Sequence, residues 1–278
     1  RTYQLLVSPS VLSYLTHNMF YHFKPAVING NIAGNSFKNS LYILNIKEWN
    51  IDFLLYRYLW SPFKWIGNKL NFLINKWVII VLILLYVTGL SINEFREYIS
   101  IDIIDLLPFI YSFAGLLLIL RSFVERGEAI QAWILVISGQ LFITLSVVLL
   151  NEDFGYHHII LFLSGSLTAA IIGYICLKKM KALDNNVILN LYHGYIYEHP
   201  NFGFVFLLCC LGIIGLPFTP TFIGIDLLFN HIHKHQEILI IFTSVSFLFI
   251  EISLFRIYAR VFLGQHIKPN HPIAYRSS

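Results

Sequence analysis

Cys209-Cys-Leu-Gly-Ile-Ile-Gly-Leu-Pro-Phe-Thr-Pro-Thr-Phe-Ile-Gly-Ile-Asp226 decides how this chain is read. The surrounding apolar run, Phe202 to Phe229, is long enough to cross a bilayer, which takes about 20 helical residues. Inside it Pro217 and Pro220 each remove a backbone donor, and Gly212, Gly215 and Gly224 loosen what remains. In hydrocarbon a freed carbonyl must find a protein or water partner, so a helix breaks there only against protein or an aqueous cavity. Transporters place ion sites at such breaks. An ionisable residue, Asp226, follows this one. The stretch predicts a Pro-broken membrane helix lining an ion path.

The composition agrees with a membrane setting. The chain has 278 residues, 57% hydrophobic and 12% charged, about half the charged share usual in soluble domains. Its mean hydropathy is +0.68. Six apolar runs predict spans: Trp77–Ile92, Ile103–Leu120, Ile130–Leu150, His157–Leu177, the broken Phe202–Phe229, and Ile238–Gly264. Basic residues then separate by side. Lys38, Lys47, Arg57, Lys64, Lys69, Lys76, Arg121, Arg126, Lys178, Lys179, Lys181, Arg260, Lys268 and Arg276 share one side, against Arg96 and Lys234 on the other. The positive-inside bias puts both ends of the span array in the cytoplasm. An all-α, multi-span transmembrane bundle is expected over 76–278, behind an interfacial, amphipathic segment over 1–75.

Within that segment, Trp49 to Trp65 mixes aromatic, basic and apolar residues around Pro62, which suits a helix in the headgroup layer. Residues 25–40, rich in Asn and Gly, read as a loop. Tyr3–Phe23 reads equally as a surface helix or the remnant of a span. Arg1 in place of a methionine reads as a processed product or a piece of something longer.

Few residues carry candidate chemistry. Glu251 lies mid-span among Phe247, Leu248, Phe249, Ile250 and Ile252, where a lone carboxylate costs several kcal/mol unless protonated or partnered. It reads as a proton-carrying group, or else as a structural hydrogen-bond partner of the break. Asp226 either faces a water-filled gap or ends the span at the interface. His157 and His158 open a span and titrate near neutral pH, so they join the candidate list beside an interfacial reading. Arg121–Glu125 has i,i+4 spacing and reads as a solvated helix end, and Arg256 and Arg260 read as snorkelling. His231-Ile-His-Lys-His235 lacks the cysteine or carboxylate that would complete a metal site, so neither metal nor cofactor is expected. Cys176, Cys209 and Cys210 sit in apolar runs and read as core residues. No phosphate loop, nucleophile elbow or zinc-hydrolase signature appears. By motif the chain is not itself an enzyme, and its basic loops speak of topology rather than nucleic acid.

Gly215-Leu-Pro-Phe-Thr-Pro-Thr-Phe-Ile-Gly-Ile-Asp226 resembles the broken-helix motif of the antiporter-like membrane subunits. That superfamily includes proton-pumping subunits of respiratory complex I, Mrp-type antiporters and the membrane subunit of inorganic-carbon accumulating complexes. Ser138-Gly-Gln140 followed by His157-His-Ile-Ile-Leu-Phe-Leu-Ser-Gly-Ser166 is similar to the upstream pair of family helices, and Arg256-Ile-Tyr-Ala-Arg-Val-Phe-Leu-Gly264 to the downstream helix end. The three occur in family order over residues 130–265. Two departures stand out. The ion-carrying lysine or glutamate of the broken helix falls on Ile225, with Asp226 one place on, and His157 or His158 stands where the family has a lysine. The chain resembles a reduced or partial member.

The resemblance implies proton (or other cation) conduction through the break, with Glu251, Asp226, His157 and His158 as ion-handling groups and Gly215, Pro217, Pro220 and Gly224 shaping the break. It implies other membrane subunits as partners. For the inorganic-carbon type it also implies a large, soluble, zinc-containing carbonic-anhydrase-like subunit on the cytoplasmic face of the cell inner membrane, with the flux driving bicarbonate uptake. The rival expectation is a transport-inactive scaffold subunit of a larger complex. A membrane-embedded acyltransferase using a histidine has no supporting motif.

Overall fold

A computed structural model describes residues 26–28, 31–33, 55–95, 100–150, 156–184, 187–230, 232 and 236–264. Tyr3–Phe23 and residues 49–54 lie outside the described residues. The chain divides into two units, Arg1–Pro62 and Phe63–Ser278. In the first, β1 (Ala26–Ile28) pairs antiparallel with β2 (Asn31–Ala33), Val27 opposite Ile32. This part of 25–40 is therefore a small hairpin rather than plain loop; the Asn29-Gly30 between the strands is a strong hairpin signal. A π-helical stretch, Leu55–Trp60, follows.

The second unit makes the chain an all-α membrane bundle. After α1 (Ser61–Lys69) and a 3-10 stretch, Leu70–Ile74, the chain turns at Asn75, whose side chain accepts from Trp77 N (3.3 Å) and so caps α2 (Lys76–Glu94). Then come α3 (Ile101–Val124), α4 (Ala129–Leu150), α5 (Tyr156–Asp184), α6 (Pro200–Ile214), α7 (Pro220–Asn230) and α8 (Glu237–Phe262). Four of these, α3, α4, α5 and α8, are each long and apolar enough to cross a membrane, and Leu55–Ile74 with Trp77–Asn93 qualifies only as one bent span. Every one of the six apolar runs is helical, the fifth as the pair α6 and α7.

Small residues let the helices approach. At the α3–α4 crossing Gly115 and Gly139 face each other: a Cβ on either would stand 2.9 Å from the other's carbonyl oxygen. Such contacts drive packing where lipid is as apolar as the side chains. Buried aromatic groups with one polar atom tie the rest. Tyr111 donates to Leu85 O (2.7 Å), joining α3 to α2, and the Trp133 indole donates to Ala170 O (3.0 Å), joining α4 to α5.

The helix ends sort by charge. Lys181 on α5 pairs with Glu128 ahead of α4 (2.8 Å). Leu189 N reaches Gly127 O (2.9 Å), and the chain entering α6 bonds to the end of α8 through His193 N to Arg260 O (3.0 Å) and Ile196 N to Phe262 O (3.1 Å). Arg256 on α8 reaches the end of α3. Thus Arg121, Arg126, Lys181 and Arg260 collect at one end of the bundle, as the alternation in sequence requires, and Arg256 joins them.

Candidate functional site at the broken helix

The break begins where α6 ends in a left-handed residue, Gly215 (φ 90°, ψ 60°). Gly215 N and Leu216 N both donate to Leu211 O (3.1 and 3.0 Å). This is the glycine C-cap that needs no Cβ penalty. Leu216 O then accepts from Thr219 N and from the Thr219 hydroxyl (each 2.8 Å), and Pro220 opens α7 where its missing N–H is harmless. Phe218, at the tip, is 94% exposed.

Glycines also fix how the two halves lie. A Cβ on Gly212 would meet Ala169 (3.1 Å), Gly165 faces Thr221, and a Cβ on Gly224 would stand 2.6 Å from the Phe162 Cα. From Gly212 to Thr221 the chain advances nine residues, ~13.5 Å of unbroken helix at 1.5 Å each. Along α5 it covers only Ala169 to Gly165, ~6 Å on the same rise. Both halves therefore run antiparallel to α5 as one interrupted run, with the slack held in the loop at 215–219.

Protein groups take the freed carbonyls that can be traced. Besides the turn bonds above, Gln140 of α4, 2% exposed, donates from Nε2 to Ile213 O (3.3 Å). Among the described residues, the group that another helix brings to the break is thus a neutral amide. The sequence carried it only as part of Ser138-Gly-Gln140, and a glutamine midway along an apolar helix was the available signal.

Of the expected ion-handling residues, Asp226 and Glu251 are exposed on this chain. Ile225 packs over Gly215, its Cδ1 2.7 Å from where a Cβ would be. Asp226, one position on, is exposed and accepts from Asn230 Nδ2 (3.2 Å). Glu251 follows the fully buried Ile250 on α8, is exposed, and makes no hydrogen bond or ion pair among the described residues. At 1.5 Å per residue it lies ~21 Å from the start of α8 and ~17 Å from its end, well inside the helix. His157 and His158 belong to the first turn of α5, and their side chains lie outside the described residues. Of His231–His235 only Ile232 is described. Pro217 and Pro220 are exposed, Gly224 is buried.

No family model, curated protein or solved structure matches this chain.

The charged end of the bundle corrects two further expectations. Arg121 and Glu125 are not a solvated helix end: they are 6% and 5% exposed and paired to each other. Arg121 also donates to Asn71 Oδ1 (2.9 Å), and Glu125 Oε1 accepts from Gly127 N (2.6 Å). Arg256 does not snorkel. Its guanidinium donates to the Phe123 and Glu125 carbonyls, and to Ser122 O at 3.5 Å, so it caps the last turn of α3. There it meets the carbonyls and negative dipole that a helix C-terminus leaves open. Arg260 stacks over the Tyr192 ring, 4.1 Å to the centroid. Inward on α8, Thr243, Ser246 and Ser253 are fully buried, and their hydroxyls have no hydrogen-bond partner among the described residues. Their spacing puts them on one face, leading toward Arg256.

Proposed function

We propose that this protein is a membrane subunit of an ion-translocating complex, moving protons or another cation along a path it shares with a neighbouring subunit. The position of Glu251, deep inside a helix long enough to cross a membrane, carries this reading. A carboxylate inside a membrane-crossing helix is costly against lipid, by about 3 kcal/mol or more. An exposed one marks either a protonated, ion-carrying group or the contact face of another membrane chain. Asp226 is exposed as well, on the second half of the broken span. Further support comes from the Gly215–Asp226 motif resemblance and from the hydroxyl line Thr243, Ser246 and Ser253, which supplies polar groups inside the bundle. In this reading Glu251 and Asp226 hand protons across the interface, with His157 or His158 at a path end.

On the same reading the basic end faces the cytoplasm of the cell inner membrane. It is then the docking side for a soluble partner, of the zinc-containing carbonic-anhydrase-like kind if the flux powers bicarbonate uptake. A scaffold role is the second reading, favoured by the closing of the break through Gln140 and Thr219. The deciding experiment is proton flux in vesicles reconstituted with the intact complex. Glu251→Gln and Asp226→Asn each lower it at least about a hundredfold if they carry protons, the low end for losing a positioned proton-transfer group. Unchanged flux in both leaves the scaffold.

A further inference from the structure

An apolar cleft lies between α2 and α4, floored by the 3-10 stretch and α3, with a volume of about 190 Å³. Tyr86, Leu118, Leu135 and Phe142 line it, and Gln131 and Ser138 are polar groups along its α4 wall. Two of its wall residues, Ile83 and Ile134, are 58% and 41% exposed, so the cleft opens on the lipid-facing surface. An apolar space of this kind does not hold water, and an empty one forfeits dispersion contacts on one side. In a membrane the available filler is hydrocarbon. From Gln131 to Phe142 the cleft runs eleven residues of helix, ~16.5 Å, close to the ~15 Å of one bilayer leaflet's hydrocarbon.

One end of the cleft is positively charged. Leu118 of the floor and Arg121 share a face of α3 at i,i+3, and Ile74 and Asn71 share a face of the 3-10 stretch. The Arg121–Asn71 hydrogen bond is therefore the next layer beyond the floor. In that layer the Arg121 guanidinium pairs with the Glu125 carboxylate while the Arg256 guanidinium donates to backbone carbonyls, and the Nε of each arginine is buried with no acceptor among the described residues. Arg126 is exposed in the loop that leads to Gln131. Surplus buried donors beside a leaflet-long apolar cleft match a molecule that is anionic and acceptor-rich at one end and a hydrocarbon chain at the other. Basic sites between membrane helices bind anionic headgroups in this way.

We propose that this cleft binds one anionic glycerophospholipid, an acyl chain lying between α2 and α4 and the phosphate at the Arg121–Arg126 end. The site is separate from Glu251 and Asp226, and it stands whether or not the protein moves ions. The test is native mass spectrometry and thermal unfolding of the full chain in detergent. Phosphatidylglycerol, phosphatidylcholine with the same chains, and inorganic phosphate are titrated in turn. Phosphatidylglycerol is expected to bind one per chain and about tenfold tighter than phosphatidylcholine, the effect of one to two basic residues near a headgroup. Arg126→Gln reduces that preference. Ser138→Phe, or Ile134→Trp should the first not fold, fills the cleft and abolishes retention. The proposal is overturned if phosphatidylcholine binds equally, if phosphate alone stabilises as much as the lipid, or if both filled variants keep it.

Discussion

Replacing Gln140 by leucine isolates what holds the broken span in place. The amide is 2% exposed and donates at 3.3 Å to the Ile213 carbonyl, two residues before the left-handed Gly215. Leucine keeps the bulk on α4 but leaves that carbonyl in an apolar surrounding. Interhelical hydrogen bonds in membranes average about 0.6 kcal/mol and reach about 1.7, while a buried acceptor left unpaired costs about 1–3. The ranges overlap at about 1–2 kcal/mol, and the 3.3 Å length argues for the lower half. For a chain of this size that lowers the melting temperature by roughly 2–6 °C. Thr144→Val is the control. The Thr144 hydroxyl, also buried, bonds to the Gln140 carbonyl of its own helix (2.9 Å), which keeps its helical amide partner, so its loss costs about 0.5 kcal/mol, the low end for an internal hydrogen bond. The assay is thermal unfolding in detergent together with amide hydrogen exchange, which should quicken at residues 215–219 in Gln140→Leu alone. If both variants melt alike and exchange at the loop does not change, Gln140 does not clamp the break and the packing argument fails.

Three further outcomes follow from the same geometry. Gly224→Leu drives a side chain into the Phe162 backbone, where even a Cβ would be 2.6 Å from the Cα; the α5–α7 crossing must open, at a cost of at least about 1–3 kcal/mol, read as loss of monodisperse protein on size exclusion. Arg256→Lys removes the guanidinium fork that spans the Ser122, Phe123 and Glu125 carbonyls; a lysine does not replace a planar multidentate donor, and unfolding should come earlier by about 2 kcal/mol. Glu251→Cys reacts with a lipid-soluble maleimide when the chain is purified alone, because the position is exposed, and is protected in the intact complex if a neighbouring chain covers that face.

What could be read beforehand was what the backbone decides locally. Pro217, Pro220 and Gly215 determine where a helix stops, so the interruption of Phe202–Phe229 followed from residue chemistry alone. The alternation of basic loops placed Arg121, Lys181 and Arg260 at one end for the same reason. Facing was another matter. Helices α3, α4 and α8 are too uniformly apolar to show which side is core, and nothing in the sequence around Glu251 marks it as exposed rather than turned toward the break. Arg256 caps a carbonyl turn 131–134 residues earlier, a contact no local pattern contains. The Arg121–Glu125 pair has the same i,i+4 spacing on a solvated surface and in a buried joint. Only the packing of Asn71 and Arg256 around it makes the difference.

The most direct test of the proposed ion path is modification by a lipid-soluble carbodiimide, which reacts with protonated carboxyl groups in hydrocarbon. In the reconstituted complex, the account requires an adduct on Glu251 and loss of proton flux with the same dose dependence, both abolished in Glu251→Gln. An adduct at Glu251 with flux undiminished would contradict it.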